Sequence, residues 1–327
     1  MTAAEVTEPT VCGDVSWCGL PAGHDPVVDH RGYEITHAVT ADGVYAIDAA
    51  VYHADPTVSG SLSSTGAKLL AGPGAAPAKF AYYRDRGRPD RETFDVGRAA
   101  HREVLGAGGG YRVIPDEVCG RDGGWSTAAA KGEVAKARAD GLTPIKPKTL
   151  KMIQDMAAAL AEHDDAGPLL AAPGRREPAV FWTDRESNVV CRTMFDTLPD
   201  PGDGLFILAD YKTTEDAHPD ACQRSMWNYG FHRQAAWCMD AVEALGLAEP
   251  GAVRFAFISQ EKTPPYLVTV WYPDAVALQL ADWRNRQARA AYAECTRTGR
   301  WPGYTDRPVK LALPVYAERD EMQEMSA

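Results

Sequence analysis

Three short strand-like segments follow one another in the middle of this 327-residue chain, and they constrain its fold more than any other feature. The segments are "EPAVFWTD" (177–184), "NVVCRTMFDTL" (188–198) and "GLFILADYKTT" (204–214). β-Branched and aromatic residues dominate them, and turn-forming residues separate them, with "DRESN" (184–188) suited to a hairpin turn. The sequence therefore predicts three consecutive strands.

Helices and two further strands surround this central group. Apolar residues recur at helical spacing on both sides of it, and they alternate at strand spacing further on. The pattern predicts an α/β (α+β) fold with a mixed central sheet flanked by helices. The predicted helices are 61–72, 95–108, 126–141, 147–163, 217–245 and 274–295, and the two further strands are 253–262 and 266–273.

Three regions are expected along the chain. Residues 1–50 are rich in Gly, Pro, Asp and His with little periodicity, which is typical of an irregular appendage. Residues 51–310 are predicted to form one domain, and residues 311–327 a C-terminal tail. No apolar stretch approaches the roughly 20 residues of a membrane helix, and the seven cysteines are scattered, so we expect a cytoplasmic protein with reduced thiols.

The net charge of −11 argues against a protein that coats nucleic acid by bulk attraction, but it does not exclude a nuclease. Clustered metal-binding carboxylates contribute to an acidic total, and a short basic stretch can still hold a phosphate backbone. The stretch "YYRDRGRPDR" (82–91) offers such a patch, although a solvated loop is an equal alternative. Its candidate DNA-binding residues are Arg84, Arg86, Arg88 and Arg91.

Two aspartates and a lysine at neighbouring strand ends form the candidate reactive group. Asp196 ends the second strand, and Asp210 and Lys212 share one face of the third because strand residues two apart point to the same side. Two close carboxylates repel unless a cation lies between them, and oxygen ligands select Mg²⁺ or Mn²⁺. A lysine there can position water and stabilise charge on a phosphate. Taken alone, however, Asp-x-Lys is also typical of a surface ion pair.

The wider pattern resembles the PD-(D/E)XK nucleases. Asp196, thirteen intervening residues and then Asp210-x-Lys212 match the superfamily signature. "GRAAH" (97–101) and "YGFHRQAAWC" (229–238) are similar to the helix motifs of the RecB-like branch. Together with "LSSTGAKLL" they give residues 50–300 a resemblance to the RecE-type (exonuclease VIII) recombination exonucleases of phages and prophages. The resemblance implies a restriction-endonuclease-like core.

The resemblance also implies the roles of individual residues. Metal would be held by His101, Glu177, Asp196, Asp210 and the backbone carbonyl of Tyr211, with Lys212 as the catalytic lysine and Gln234 orienting it or the scissile phosphate. One departure is Cys238, which stands where the family's glutamine motif has tyrosine. Considered singly, three of these residues have structural alternatives. His101 would fill a helix face, Glu177 would be an exposed strand end, and Gln234 would be a polar helix residue.

The implied function is a Mg²⁺-dependent exodeoxyribonuclease that degrades one strand of linear double-stranded DNA, in the 5′→3′ direction, to expose single strands for recombination. The implied partners are duplex DNA ends, a single-strand annealing recombinase and further copies of the chain in a ring, for which a tetramer is expected. Two alternatives remain. One is a RecB-like nuclease of a repair or defence complex, and the other is a catalytically weak DNA-end-binding module of the same fold.

A second candidate metal site lies near the N-terminus. Cys12, Cys18, His24 and His30 stand at equal intervals, and mixed sulfur and nitrogen ligands suit structural Zn²⁺. The spacings are longer than those of zinc fingers. An unstructured tail with incidental Cys and His residues is the alternative.

Overall fold

A computed structural model describes residues 38–87, 94–202, 204–249 and 251–326, together with the backbone of residues 27–28 and 34–35. It confirms the predicted mixed architecture of sheets flanked by helices. The helices are α1 (Ala49–Ala54), α2 (Ser64–Leu70), α3 (Pro77–Arg86), α4 (Asp95–Leu105), α5 (Ala128–Ala139), α6 (Pro147–Ala161), α7 (Ala166–Ala171), α8 (Pro219–Tyr229), α9 (Phe231–Ala244), α10 (Ala275–Thr298) and α11 (Val315–Met325). The strands are β1 (Val27–Val28), β2 (Glu34–Ile35), β3 (Gly43–Tyr45), β4 (Leu62–Ser63), β5 (Tyr111–Val113), β6 (Thr143–Ile145), β7 (Gly174–Arg176), β8 (Ala179–Thr183), β9 (Val190–Met194), β10 (Thr197–Pro199), β11 (Phe206–Thr214), β12 (Val253–Glu261) and β13 (Val268–Trp271).

The three predicted central strands form a hairpin followed by a crossover pair. β8 and β9 are antiparallel, with β3 pairing on the outer side of β8 and β4 running parallel to β9. β11 pairs in parallel with β12 along its whole length, from Phe206 opposite Val253 to Thr214 opposite Glu261. β13 then pairs antiparallel to β12. This long parallel register fixes the position of each β11 residue along the sheet relative to β12.

The β8–β9 hairpin turns a corner before it reaches β11. Beyond the corner its two strands continue as β7 and β10, which are again antiparallel. The backbone N–H of Glu177 donates to the carbonyl of Asp196 (3.2 Å), so these two residues face each other at the corner. Thr197 then ties β10 to β11, because its Oγ1 accepts from the N–H of Ala209 and donates to that residue's carbonyl, both at 3.0 Å.

Alternate residues of β11 serve two different cores. Leu208 belongs to the core that α9 and α10 cover, where Trp182 and Trp237 pack edge to face with ring centroids 5.5 Å apart. Ala209 and Tyr211 belong to the core beneath α4 and α6. The side chains of residues 208, 210 and 212 therefore face α9, and those of 209 and 211 face the opposite helices.

Two local features differ from the sequence-based expectations. The helix predicted over 217–245 is broken at Gly230, which adopts φ +64° and ends α8 while beginning α9. The left-handed conformation is cheap for glycine and expensive for other residues, which explains the break. The basic stretch also begins inside a helix rather than a loop, since α3 includes Arg84 and Arg86. None of the helices in the described ranges is long and apolar enough to cross a membrane.

Candidate active site

Asp210 and Lys212 form an ion pair on the α9 side of β11. Their contact joins Lys212 Nζ to Asp210 Oδ2 at 2.5 Å. Tyr211 points to the other side, where its hydroxyl donates to Oε1 of buried Gln260 (2.7 Å), and Gln260 Nε2 donates to the Met156 carbonyl (2.9 Å). The strand period thus separates a reactive face from a structural face one residue apart.

The second carboxylate reaches this pair from the corner of the hairpin. Asp196 Oδ2 accepts a hydrogen bond from the backbone N–H of Tyr211 at 2.7 Å. That bond is on the same edge of β11 as the Thr197–Ala209 bonds, so two side chains of the β10 segment contact the strand in succession. Asp196 and Asp210 are therefore brought to the middle of β11 from separate elements.

Gln234 completes the contacts of Asp210. It lies in the first turns of α9, and its Nε2 donates to Asp210 Oδ1 at 2.7 Å. The other oxygen, Oδ2, is buried and contacts Lys212 Nζ at 2.5 Å. A carboxylate oxygen can accept more than one partner, so this atom keeps room for a further electropositive group beside the ammonium.

His101 and Glu177 lie on the side of Asp196 away from α9. His101 projects from α4, with Nδ1 3.7 Å from Asp196 Oδ2 and its ring centroid 5.3 Å from that of Tyr211. Glu177 adopts φ +48°, a left-handed conformation that costs energy for a residue with a side chain. A Cβ added at Gly108 would lie 2.5 Å from Glu177 Oε1, so the glycine leaves room for this carboxylate.

The electrostatics of the cluster follow from burial and from the two carboxylates. Burial, together with repulsion from Asp196, raises the pKa of Asp210 to about 6. The same two causes raise the pKa of Glu177. Burial alone would lower the pKa of Lys212, but attraction to Asp210 and Asp196 outweighs it and the pKa is raised. Lys212 is therefore a cation at neutral pH, whereas the surroundings of Asp210 and Glu177 make their ionised forms less favourable than in water.

These residues have the chemistry of a divalent-cation site, although their side chains are not preassembled around one point. No three His, Cys, Asp or Glu side chains of the described residues converge closely enough to hold a metal ion. The fit comes from Asp210 Oδ2, which is buried and keeps acceptor capacity beside its contact with Lys212, and from the repulsion between Asp210 and Asp196. A cation between the two would relieve both.

The remaining predicted residues lie elsewhere or outside the described ranges. Arg84 pairs with Asp85 (2.7 Å) and lies over the Trp301 ring (4.8 Å), and Arg86 lies over the Tyr82 ring (4.7 Å). Arg88, Arg91 and the N-terminal candidates Cys12, Cys18, His24 and His30 lie outside the described residues.

Cys238, which stands in the place of the motif tyrosine, is a packing residue. Its thiol lies in the core under α9, 3.3 Å from Thr193 Oγ1. Burial raises the pKa of the thiol to about 12, so it remains protonated at neutral pH and is not a nucleophile.

One residue near the site has no role in the sequence-based prediction. Lys68, on α2, donates from Nζ to the carbonyl of Tyr229 at 2.6 Å, immediately before the start of α9. Burial, together with repulsion from the charges of Lys212 and Arg233, lowers its pKa to about 8. Its sequence signal was the motif "LSSTGAKLL", which indicates a helix but not the place where the helix docks.

Comparison with known proteins agrees with this architecture. A family profile described as "PDDEXK-like domain of unknown function (DUF3799)" matches residues 81–308. A crystal structure from Eubacterium rectale, provisionally described as an exonuclease, superimposes with a TM-score of 0.54 at 12% sequence identity, covering 84% of this chain and 98% of that one. No curated protein sequence matches the chain. The fold is thus a PD-(D/E)XK core, as the strand and motif order predicted.

Proposed function

This chain belongs to the PDDEXK-like family DUF3799, and we propose that it is a metal-dependent exodeoxyribonuclease that degrades one strand of linear double-stranded DNA. The observation that carries the proposal is the meeting of Asp196, Asp210 and Lys212 at the middle of β11. Two mutually repelling carboxylates beside a cationic amine suit phosphodiester hydrolysis, in which negative charge develops on the attacked phosphate.

The cofactor in this proposal is Mg²⁺ or Mn²⁺. Asp196, Asp210 and the carbonyl of Tyr211 would hold it, with Glu177 and His101 contributing from the corner and from α4. A bound divalent cation supplies Lewis-acid polarisation of the phosphate and a water of lowered pKa. The donor set is rich in oxygen and has no thiolate, which favours these hard cations over zinc.

Each neighbouring side chain has a separate task. Because its pKa is raised, Lys212 keeps its proton and stabilises the negative charge that develops on phosphate oxygens. Gln234 fixes the orientation of Asp210 through the 2.7 Å hydrogen bond to Oδ1, which leaves Oδ2 directed to the reacting group. His101 contributes one ring nitrogen beside Asp196.

The finer parts of the proposal rest on the resemblance to RecE-type exonucleases. They are 5′→3′ polarity, a ring-shaped homo-oligomer for which we expect a tetramer, and delivery of single strands to an annealing recombinase. A ring that surrounds a duplex needs few basic residues per copy, which reconciles DNA binding with the net charge of −11. The arginines at 84, 86, 88 and 91 are the candidates for its lining.

A catalytically weak DNA-end-binding module is the second candidate, and Cys238 is the observation that favours it. A buried thiol cannot supply the hydroxyl that the family's tyrosine brings to the same helix. Such a module would bind duplex ends without turnover. It would do so with the same fold and the same carboxylates.

One digestion experiment tests these functions together. Linear duplex labelled at either the 5′ or the 3′ end is incubated with purified protein and Mg²⁺, beside closed circular DNA and an EDTA control. We expect mononucleotide release from the 5′ label first, intact circles and no reaction in EDTA. Early release from the 3′ label would contradict the polarity, cleavage of circles would contradict end dependence, and binding without hydrolysis would favour the second candidate.

A further inference from the structure

Lys68 lies where two helices meet beside the candidate site. Its Nζ donates to the Tyr229 carbonyl, the last residue of α8, at 2.6 Å. Its Cε and Cδ lie 3.2 Å and 3.4 Å from the position that a Cβ would take at Gly230, where α9 begins. The amino group is therefore held against the α8–α9 junction by a residue that comes from α2, far away in sequence.

The same junction borders the catalytic lysine. Lys212 Nζ lies 5.6 Å from the ring centroid of Phe231, the first residue of α9. Gln234, one turn further on, donates to Asp210. Lys68 and Lys212 thus approach the first turn of α9 from separate elements, and their charges interact.

The two lysines differ in how their charges are balanced. Lys212 contacts the carboxylate of Asp210 at 2.5 Å. Among the described residues Lys68 pairs with no carboxylate, and its contact is a neutral backbone carbonyl. A half-buried ammonium group beside other cations is unfavourable unless an anion shares the site, and its lowered pKa expresses that cost. Two of its three N–H donors remain for such an anion, since a lysine carries three and one is used by Tyr229.

We propose that Lys68 binds a backbone phosphate of the cleaved strand next to the scissile phosphodiester. The inference rests on the proposed nuclease function, and it assigns α2 a substrate-binding role. Charge-assisted contact with phosphate at Lys68 would hold the strand across the first turn of α9, which places the neighbouring phosphate over Asp210 and Lys212. Lys68 is accordingly a substrate-binding residue, and the reacting groups are those of β11.

Binding measurements without turnover test this role. Fluorescence anisotropy of a labelled duplex is followed in Ca²⁺, over a series of NaCl concentrations, for wild type, Lys68→Gln, Lys68→Arg and Lys79→Gln. Lys79 is a matched control: it lies on α3 over the Tyr304 ring, and its substitution by Gln removes the same charge as Lys68→Gln. We expect Lys68→Gln to weaken binding about tenfold and to reduce the slope of log K against log[salt] by about 0.7–0.9, the contribution of one phosphate contact. Lys68→Arg should keep the wild-type slope, and Lys79→Gln should change neither quantity.

A purely structural role predicts a different result. If Lys68 only caps α8, Lys68→Gln lowers the melting temperature and leaves affinity and salt slope unchanged, which overturns the inference. Duplexes with 5′-phosphate and 5′-hydroxyl ends locate the contact, since an effect confined to the 5′-phosphate would overturn its placement on an internal phosphate. Failure of the proposed function is distinguishable, because wild type itself would then neither bind nor cleave DNA.

Discussion

Two aspartates of this molecule are similarly buried and each contacts one cationic side chain, but they differ in the number of hydrogen bonds that their carboxylates accept. Asp55 and Asp210 are 6% and 4% exposed. Each contacts one cation at 2.5 Å, through Arg192 Nη1 and Lys212 Nζ respectively. Both are paired with a residue of a central strand, since Arg192 lies on β9 and Lys212 on β11. Burial and pairing alone therefore do not distinguish a structural carboxylate from a reactive one.

The difference lies in the hydrogen bonds. Asp55 Oδ1 accepts from the hydroxyls of Thr57 and Ser61, and Oδ2 accepts from the backbone N–H of Ser61, each at 2.8 Å. Asp210 accepts one hydrogen bond, from Gln234, and repels a neighbouring carboxylate. The first aspartate is satisfied within the protein, whereas the second has fewer hydrogen bonds and keeps acceptor capacity for a bound cation. Incomplete satisfaction is what makes Asp210 a functional candidate.

The largest expected effect is on catalysis. Lys212→Met and Asp210→Asn should each lower the cleavage rate by at least about 1,000-fold, because one removes a fixed cation and the other a proposed metal ligand. Circular dichroism should show an intact fold for both. The rate is measured by release of end label from linear duplex. Near-normal digestion by either variant would contradict the assignment of Asp210 as a functional carboxylate and Asp55 as a structural one.

Arg192→Met should have the opposite profile, a large loss of stability. It leaves the Asp55 carboxylate buried without its cation, which should lower the free energy of unfolding by about 3 kcal/mol. Urea denaturation measures the change. Arg297→Met is the matched control, since its exposed pair with Glu294 should contribute less than about 0.5 kcal/mol. Equal effects of the two variants would mean that the Asp55 cluster does not stabilise the fold.

The third expected effect is a pH dependence that belongs to Asp210. Its pKa is raised from the ordinary value of 3.8 to about 6 in the folded protein. The folded state therefore holds this proton to a higher pH than the unfolded chain, so the cost of the buried carboxylate is absent at low pH and is full above about pH 6. Without metal, the cost should reach on the order of 1–3 kcal/mol.

The measurement compares wild type with Asp210→Asn in EDTA. The difference in their free energies of unfolding should change between about pH 4 and pH 6, with wild type becoming less stable relative to the variant as the pH rises, and should be constant above that range. Adding Mg²⁺ above about pH 6 should raise the free energy of unfolding of wild type and leave that of the variant unchanged. A difference that is independent of pH would show that Asp210 is as well satisfied as Asp55.

The sequence predicted the parts of the site that depend on local spacing. Asp210 and Lys212 share a face because they are two residues apart on a strand, and that period is visible in the letters alone. Their separation from Asp196 predicted neighbouring strand segments, which the structure also shows. The corner at Glu177 and Asp196 was not predicted, because a left-handed glutamate carries no sequence signal comparable to glycine.

What escaped prediction depends on contacts between distant elements. Lys68 approaches the site only after α2 docks against α9, and no spacing within "LSSTGAKLL" indicates that docking. The break at Gly230, in contrast, had a signal, since glycine inside a helical pattern is a known interruption. α3 also had one, because Pro77 stands at its first position, where proline favours a helix start.

The hydroxyl of Thr197 has a consequence for how this architecture can be elaborated. It hydrogen-bonds to both the N–H and the carbonyl of Ala209, as a neighbouring strand would do with its backbone. The adjacent Asp196 carboxylate accepts a hydrogen bond from the N–H of Tyr211. The spacing of the two acids is thus fixed by the side chains of Asp196 and Thr197 rather than by the length of chain that joins Pro199 to Phe206. We therefore expect an insertion in that connection to leave the spacing of the two acids unchanged.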